Sequence, residues 1–213
     1  EVLGLAKAAA TLDRISNGRL IMGTGYGWIR EESEILGTRF EERVRKSSEI
    51  IRALKTIWSE ETPSFSGEFV NFPPLHSNPK PVQPGGIPLL IGSGMPGIDN
   101  GRALRRVAEI ADGWLPMMLS PEQVRDDLAR LRQLCAESGR DFSTLDITIV
   151  VPAISLGLGE RPEWAYDLAV QDKDELLAGY EAAGVNRLII GIEDMVDDSA
   201  FRNLEVIARG LGL

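Results

Sequence analysis

The stretch over residues 87–117, IPLLIGSGMPGIDNGRALRRVAEIADGWLPM, limits the fold more than any other part of this chain. The apolar run at 87–91 reads as a buried strand, the glycine-rich segment 92–101 as a turn, residues 102–110 as a helix, and a second strand starts near Gly113. Strand, helix and strand in about thirty residues is a crossover unit, and such units build parallel sheets covered by helices. The turn leaves the carboxyl end of its strand and opens onto a helix N-terminus. There, free N–H groups and the positive end of the helix dipole favour an anion. Gly92, Ser93 and Gly94 bring backbone amides close without a Cβ in the way, and Ser93 adds a hydroxyl, so these three are candidates for holding a cofactor phosphate.

Two other readings compete for the same turn. Gly92-x-Gly94-x-x-Gly97 after a strand is formally the dinucleotide fingerprint of an NAD(P)-dependent Rossmann oxidoreductase. Its ribose-binding acid belongs at the end of the next strand, whereas Asp112 precedes that strand, on the opposite edge of the sheet. A (β/α)8 barrel places phosphate sites at the same strand-end position without needing that acid. The plainest reading is that the glycines only make a tight strand-to-helix turn.

The rest of the chain repeats the alternation. Residues 1–16 read as a helix with Val2, Leu5, Ala9, Leu12 and Ile15 on one face, closed by Asn17-Gly18 as a left-handed cap. RLIMGTGYGW follows as a short strand running into Gly23, Gly25 and Gly27, with Trp28 where a Rossmann turn wants its last glycine. A long helix spans about 42–58, with Val44, Ile51, Leu54 and Trp58 on one face. Residues 62–86 carry six prolines and break all periodicity; FSGEFVNF inside them reads as a hairpin turning at Ser66-Gly67, and an excursion this long is often a lid or binding loop. Ser120-Pro121-Glu122-Gln123 starts a helix with a capping box. LDITIVVPAISL reads as a continuous buried strand, Asp172 with Glu175 as a second capping box, Gly184 as the end of that helix, NRLIIGI as the last strand and FRNLEVIARGLGL as the last helix. Five strands are expected, with Leu89 to Ile91 and Leu188 to Ile190 among the buried ones.

Composition removes several function classes. A net charge of -9 argues against a basic face for nucleic acid or an anionic membrane, though an acidic protein can still hold a local phosphate, and no apolar run reaches the ~20 residues of a membrane span. The single cysteine, Cys135, falls on the apolar helix pattern of Val124, Leu128 and Leu131; it forms no internal disulfide and suits a reducing, cytoplasmic setting. With one histidine, His76, a zinc site or a Ser-His-Asp triad has little to work with, and no metal is expected.

Four segments, AKAAATLDRISNGRLIMGTGYGW with Glu31-Glu32, PKPVQ, PLLIGSG and ALRRVAEIADGW, together resemble the bacterial luciferase-like monooxygenase family, within it the flavin- and coenzyme F420-dependent oxidoreductases. The resemblance runs through nearly the whole chain in order. It implies a (β/α)8 TIM barrel with the active site at the carboxyl ends of the strands, where both glycine turns fall. It also implies that the first three strands are missing, so that residues 1–213 form one partial barrel domain, either a piece of a longer chain or a naturally short relative. Transferred by position, Gly23, Thr24, Gly25 and Tyr26 lie along the cofactor ring or ribityl chain and Gly92, Ser93 and Gly94 cradle its phosphate. Tyr26 stands where related sugar-phosphate dehydrogenases carry a catalytic glutamate, so no catalytic residue is assigned. Arg105 and Arg106 are candidates to help neutralise the phosphate, and Glu32 to pair with an arginine such as Arg43.

The function implied is F420-dependent hydride transfer to or from a small organic substrate. FMN-dependent monooxygenation, an NAD(P)-dependent Rossmann enzyme, and a non-catalytic barrel remnant that binds a partner or a second copy of itself are the alternatives.

Overall fold

The computed structural model describes residues 1–156, 172–191 and 199–212. They fall into two compact units. One comprises residues 1–92 with 105–113, the other the described residues of 93–104 and 114–213.

In the first unit, helix α1 (Val2–Ile15) ends as expected: Asn17 and Gly18 are left-handed and the Gly18 N–H donates back to the Asp13 carbonyl at 2.8 Å. Its buried face differs from the expected one. Ala6, Ala9, Ala10 and Asp13 are buried, whereas Leu5, Leu12 and Ile15 are exposed. Helix α3 (Arg43–Ser59) packs against α1; its own buried residues include Ile51, Leu54, Ile57 and Trp58, and the Trp58 indole N–H donates to the Ala6 carbonyl on the alanine side of α1 at 3.1 Å. Strand β1 (Met22–Thr24) is followed by α2 (Arg30–Ile35) and pairs in parallel with β4 (Leu89–Gly92), Thr24 opposite Ile91. Leu89, Leu90 and Ile91 are buried, as expected of a strand in the core.

The proline-rich excursion contains the expected hairpin, β2 (Phe65–Ser66) against β3 (Asn71–Phe72), with Ser66 still paired, Gly67 donating to Val70, and the turn at Glu68-Phe69, two residues later than expected. It is tied down in three places. The Glu49 carboxylate of α3 accepts the N–H groups of Glu68, Phe69 and Val70. The Lys80 ammonium donates to the Ile57 and Glu60 carbonyls at the end of α3. Asp13, fully buried, accepts the Val82 and Gln83 amides and the Gln83 side chain. The excursion is thus held to this unit at three points along its length.

Helix α4 (Gly101–Ile110) and strand β5 (Gly113–Leu115) follow, close to their expected bounds. In the second unit α5 (Pro121–Glu137) carries the complete Ser120–Gln123 capping box and buries Val124, Leu128, Leu131 and Cys135. Strand β6 (Asp146–Pro152) ends sooner than the apolar run suggests. Pro152 has no amide to extend a ladder, and Ala153–Leu156 turns as a 3-10 helix. Helix α6 (Lys173–Ala183) is capped by Asp172 and ends at left-handed Gly184. Strand β7 (Arg187–Gly191) runs parallel to β6, and α7 (Ser199–Leu211) follows. β7 is less buried than expected: in this unit β6 is its strand neighbour, and Ile189 is 44% exposed. The ends of the last expected strand and helix, Ile192 and Leu213, lie outside the described residues.

Candidate active site at the glycine turns

The parallel register of β1 and β4 sets the geometry of the first glycine turn. Because Gly23 pairs with Leu90 and Thr24 with Ile91, both strands reach their carboxyl ends at the same level, and Gly25-Tyr26 emerges beside Gly92. Thr24 secures this edge by donating its hydroxyl to the Leu90 carbonyl at 3.0 Å, so its proton is committed to the sheet. Gly23 and Gly25 are exposed, and a Cβ on Gly25 would meet no atom within 4 Å. The lack of a side chain at Gly25 is therefore not demanded by packing; it leaves bare backbone open to a flat group. Tyr26 is half-buried, and Arg106 of α4 donates from Nε to its phenol oxygen at 3.1 Å with the guanidinium 4.9 Å from the ring centre. Arg106, read from the sequence as a phosphate candidate, is thus engaged with the β1 turn.

In the second unit the Ser93 and Gly94 turn rests on Trp114. The Trp114 indole N–H donates to the Ser93 carbonyl at 3.0 Å and is within 3.1 Å of its hydroxyl oxygen, and the Ser93 N–H donates to the Leu115 carbonyl. Ser93 therefore keeps its hydroxyl proton to offer an anion, while its amide is spent. Gly94 has φ +97, and a Cβ there would lie 3.1 Å from both the Asn100 amide nitrogen and the Trp114 ring and 3.2 Å from Pro116. Packing and backbone conformation alone already require glycine at this position. The start of α4 carries its own acid: Asp99 accepts the Gly101 N–H and an Arg130 N–H, both at 3.0 Å. These hydrogen bonds hold the Asp99 carboxyl below its ordinary value.

Other residues singled out in the sequence divide clearly. Asp112 accepts the Lys55 ammonium at 2.7 Å and the Leu89 N–H at 2.9 Å, which puts it at the amino end of β4. Arg43 donates to the Gly27 and Phe40 carbonyls, and no ion pair joins it to Glu32 among the described residues; the guanidinium instead anchors the chain just after the β1 turn. Trp114 is fully buried but Trp28 is 85% exposed, so core packing accounts for the first and not the second. Cys135 is buried, and burial pushes its thiol up, away from nucleophilic character. No cluster of three or more potential metal ligands occurs among the described residues, and none of their helices is long and apolar enough to cross a membrane. Sequence reading missed the contact between Tyr26 and Arg106; eighty residues separate the two, and only the fold brings them together.

A parallel α/β chain with glycine turns at its strand ends is the class that fold and site define. The profile described as luciferase-like monooxygenase matches residues 2–202, and the chain belongs to that family. An uncharacterized protein of Mycobacterium tuberculosis is 32% identical over 209 residues, which is 97% of this chain and 64% of the relative, so the chain spans about two thirds of that protein's length. The FMNH(2)-dependent dimethylsulfone monooxygenase of Pseudomonas fluorescens is 35% identical over 112 residues, 51% of this chain and 29% of that enzyme. In fold the chain is similar to an F420-dependent secondary alcohol dehydrogenase solved with an F420-acetone adduct, with a TM-score of 0.70 at 14% identity, covering 97% of this chain and 74% of the other.

Proposed function

We propose that the protein works as a luciferase-like oxidoreductase that uses coenzyme F420 in hydride transfer to or from a small organic substrate. The observation that carries this reading is the common carboxyl edge of β1 and β4, where exposed Gly23 and Gly25 precede Tyr26 and an unhindered backbone face lies open beside Gly92. When bound, F420 supplies a deazaflavin ring that gives or takes a hydride at its C5. Gly23, Thr24, Gly25 and Tyr26 line the ring or its attached chain in this reading. Gly92, Ser93 and Gly94 serve the phosphate, Ser93 through its hydroxyl because its amide belongs to Leu115. The strands β1, β4, β5, β6 and β7 correspond to strands four to eight of a (β/α)8 barrel, with residues 1–213 as one domain.

The second reading is an FMN-dependent monooxygenase, favoured by the identity to the dimethylsulfone enzyme. Titration of the protein with F420, FMN and NADPH, followed by quenching of tryptophan fluorescence, separates the readings. F420 is expected to bind tightest. FMN binding tighter than F420 transfers the assignment to the monooxygenase, and tight binding of NADPH with neither of the others overturns both.

A further inference from the structure

Tyr26 sits at the end of the β1 turn with its oxygen engaged, among the described residues, by Arg106 alone. Arg106 Nε donates into one lone pair at 3.1 Å, and the same guanidinium lies over the ring, 4.9 Å from its centre. These two contacts act on different degrees of freedom. The stacking fixes the plane of the ring, and the hydrogen bond fixes where the oxygen lies within that plane. A phenol oxygen that already accepts from one side has its own O–H to donate, and no acceptor for it occurs among the described residues. Gly25, next to it, is exposed with open space around its Cα. Arg106 reaches this position from the middle of α4, and the three residues after it, Val107, Ala108 and Glu109, include two that are buried, so the helix is anchored and the arginine is held from behind.

We propose that Arg106 is a positioning residue that presents the Tyr26 O–H as an oriented hydrogen-bond donor to an oxygen or nitrogen acceptor on the ring system of the bound flavin-class cofactor. The inference rests on the proposed function and deepens it, because it gives the β1 turn a polar contact to the ring and takes Arg106 away from the phosphate. An arginine suits this task better than a lysine, since a planar fork can stack and donate at the same time whereas an ammonium is a point charge.

The test uses two cofactor pairs, FMN with riboflavin and F420 with its phosphate-free deazaflavin chromophore, titrated against wild type, R106Q, R106K, Y26L and the R106Q/Y26L double variant. One lost hydrogen bond of ordinary strength corresponds to about tenfold in affinity. R106Q should therefore weaken the phosphate-bearing and phosphate-free members of the binding pair equally, by about tenfold, with R106K recovering only part. In the Y26L background R106Q should have no further effect, because a residue that acts through another has nothing left to act on. A readout independent of any cofactor is the Arg106 Nε–H resonance in NMR, expected to be protected from exchange in wild type and exposed in Y26F. Additive losses in the double variant overturn the inference, as does a loss confined to the phosphate-bearing member, which would make Arg106 a phosphate ligand. An unprotected Nε–H in wild type overturns it as well. If wild type binds neither pair, the proposed function fails and this inference fails with it.

Discussion

Asp112 and Leu89 clasp each other through two hydrogen bonds: the Asp112 carboxylate accepts the Leu89 N–H at 2.9 Å, and the Asp112 N–H donates to the Leu89 carbonyl at 2.7 Å. Leu89 opens β4, so this acid is fixed at the amino end of the strand whose carboxyl end carries the glycine turn. A Rossmann enzyme needs its ribose-binding acid at the carboxyl edge. Asp112→Ala should therefore leave NAD(P) affinity unchanged. It should lower stability by about 1–3 kcal/mol, since the Leu89 N–H and the Lys55 ammonium lose their acceptor. In a chain of this size that is a fall in Tm of several degrees, at about 2–4 °C per kcal/mol. Tight NAD binding that disappears in the variant would restore the dinucleotide reading.

Gly94→Ala and Ser93→Ala should behave differently. The Gly94 variant places a Cβ against Trp114, Asn100 and Pro116 on a backbone of positive φ, so we expect a loss of about 1–3 kcal/mol in thermal unfolding with no ligand present. Ser93→Ala leaves Trp114 its carbonyl acceptor and should be nearly neutral for stability. If the Ser93 hydroxyl serves a phosphate, this variant weakens FMN or F420 by about tenfold, given ~1.5 kcal/mol for one hydrogen bond to a charged acceptor, and leaves the phosphate-free analogues unaffected. Equal losses for both would mean that the turn shapes its surroundings without touching phosphate.

The hairpin of the proline-rich excursion depends on Glu49. Its carboxylate accepts three successive backbone N–H groups and lies where a Cβ of Gly67 would have to go. Glu49→Ala should release the hairpin, seen as faster hydrogen exchange at Glu68, Phe69 and Val70, and Gly67→Ala should do the same by pushing the carboxylate away. Unchanged exchange in both variants would show that the hairpin holds without the carboxylate.

Asp13 makes stability depend on pH in a defined direction. Burial pushes its carboxyl up, but the hydrogen bonds from the Gln83 side chain and the Val82 and Gln83 amides outweigh burial and hold it below its ordinary value. The folded chain then binds this proton less readily than the unfolded one. The contribution is fully present above roughly pH 4, the ordinary aspartate range, and is lost as pH falls through the lowered folded value. In urea unfolding between about pH 5 and pH 2, Asp13→Asn should flatten the acid-side slope. An unchanged slope would mean that other carboxylates carry it.

Much of the architecture was legible in the chain because local signals and fold agree. The apolar run ending at Ile91 is buried, the Ser120–Gln123 box closes as written, and Asn17-Gly18 and Gly184 end their helices in left-handed geometry. The caps follow from interactions within a few residues, where backbone sterics and capping chemistry decide the outcome, and a continuous apolar run has few places other than the core. The segments that carry the family resemblance gain another meaning in three dimensions. Asp13 of the first segment binds Val82 and Gln83 of PKPVQ, and Asp112 of ADGW binds Leu89 of PLLIGSG.

The sequence by itself determined the order of strands and helices, their parallel sense, the family and the positions of both glycine turns. Tertiary structure alone decided which face of α1 is buried, because helical periodicity marks Leu5, Leu12 and Ile15 as apolar but cannot reveal that α3 packs against this helix with Trp58 bonded to the Ala6 carbonyl. It also decided what each turn has left to offer a ligand. Whether the Ser93 amide is free depends on Leu115, and whether Arg106 faces an anion or Tyr26 depends on a helix reaching a turn eighty residues earlier. Hydrogen-bond partners distant in sequence are set by where the backbone passes, and spacing along the chain carries no record of it.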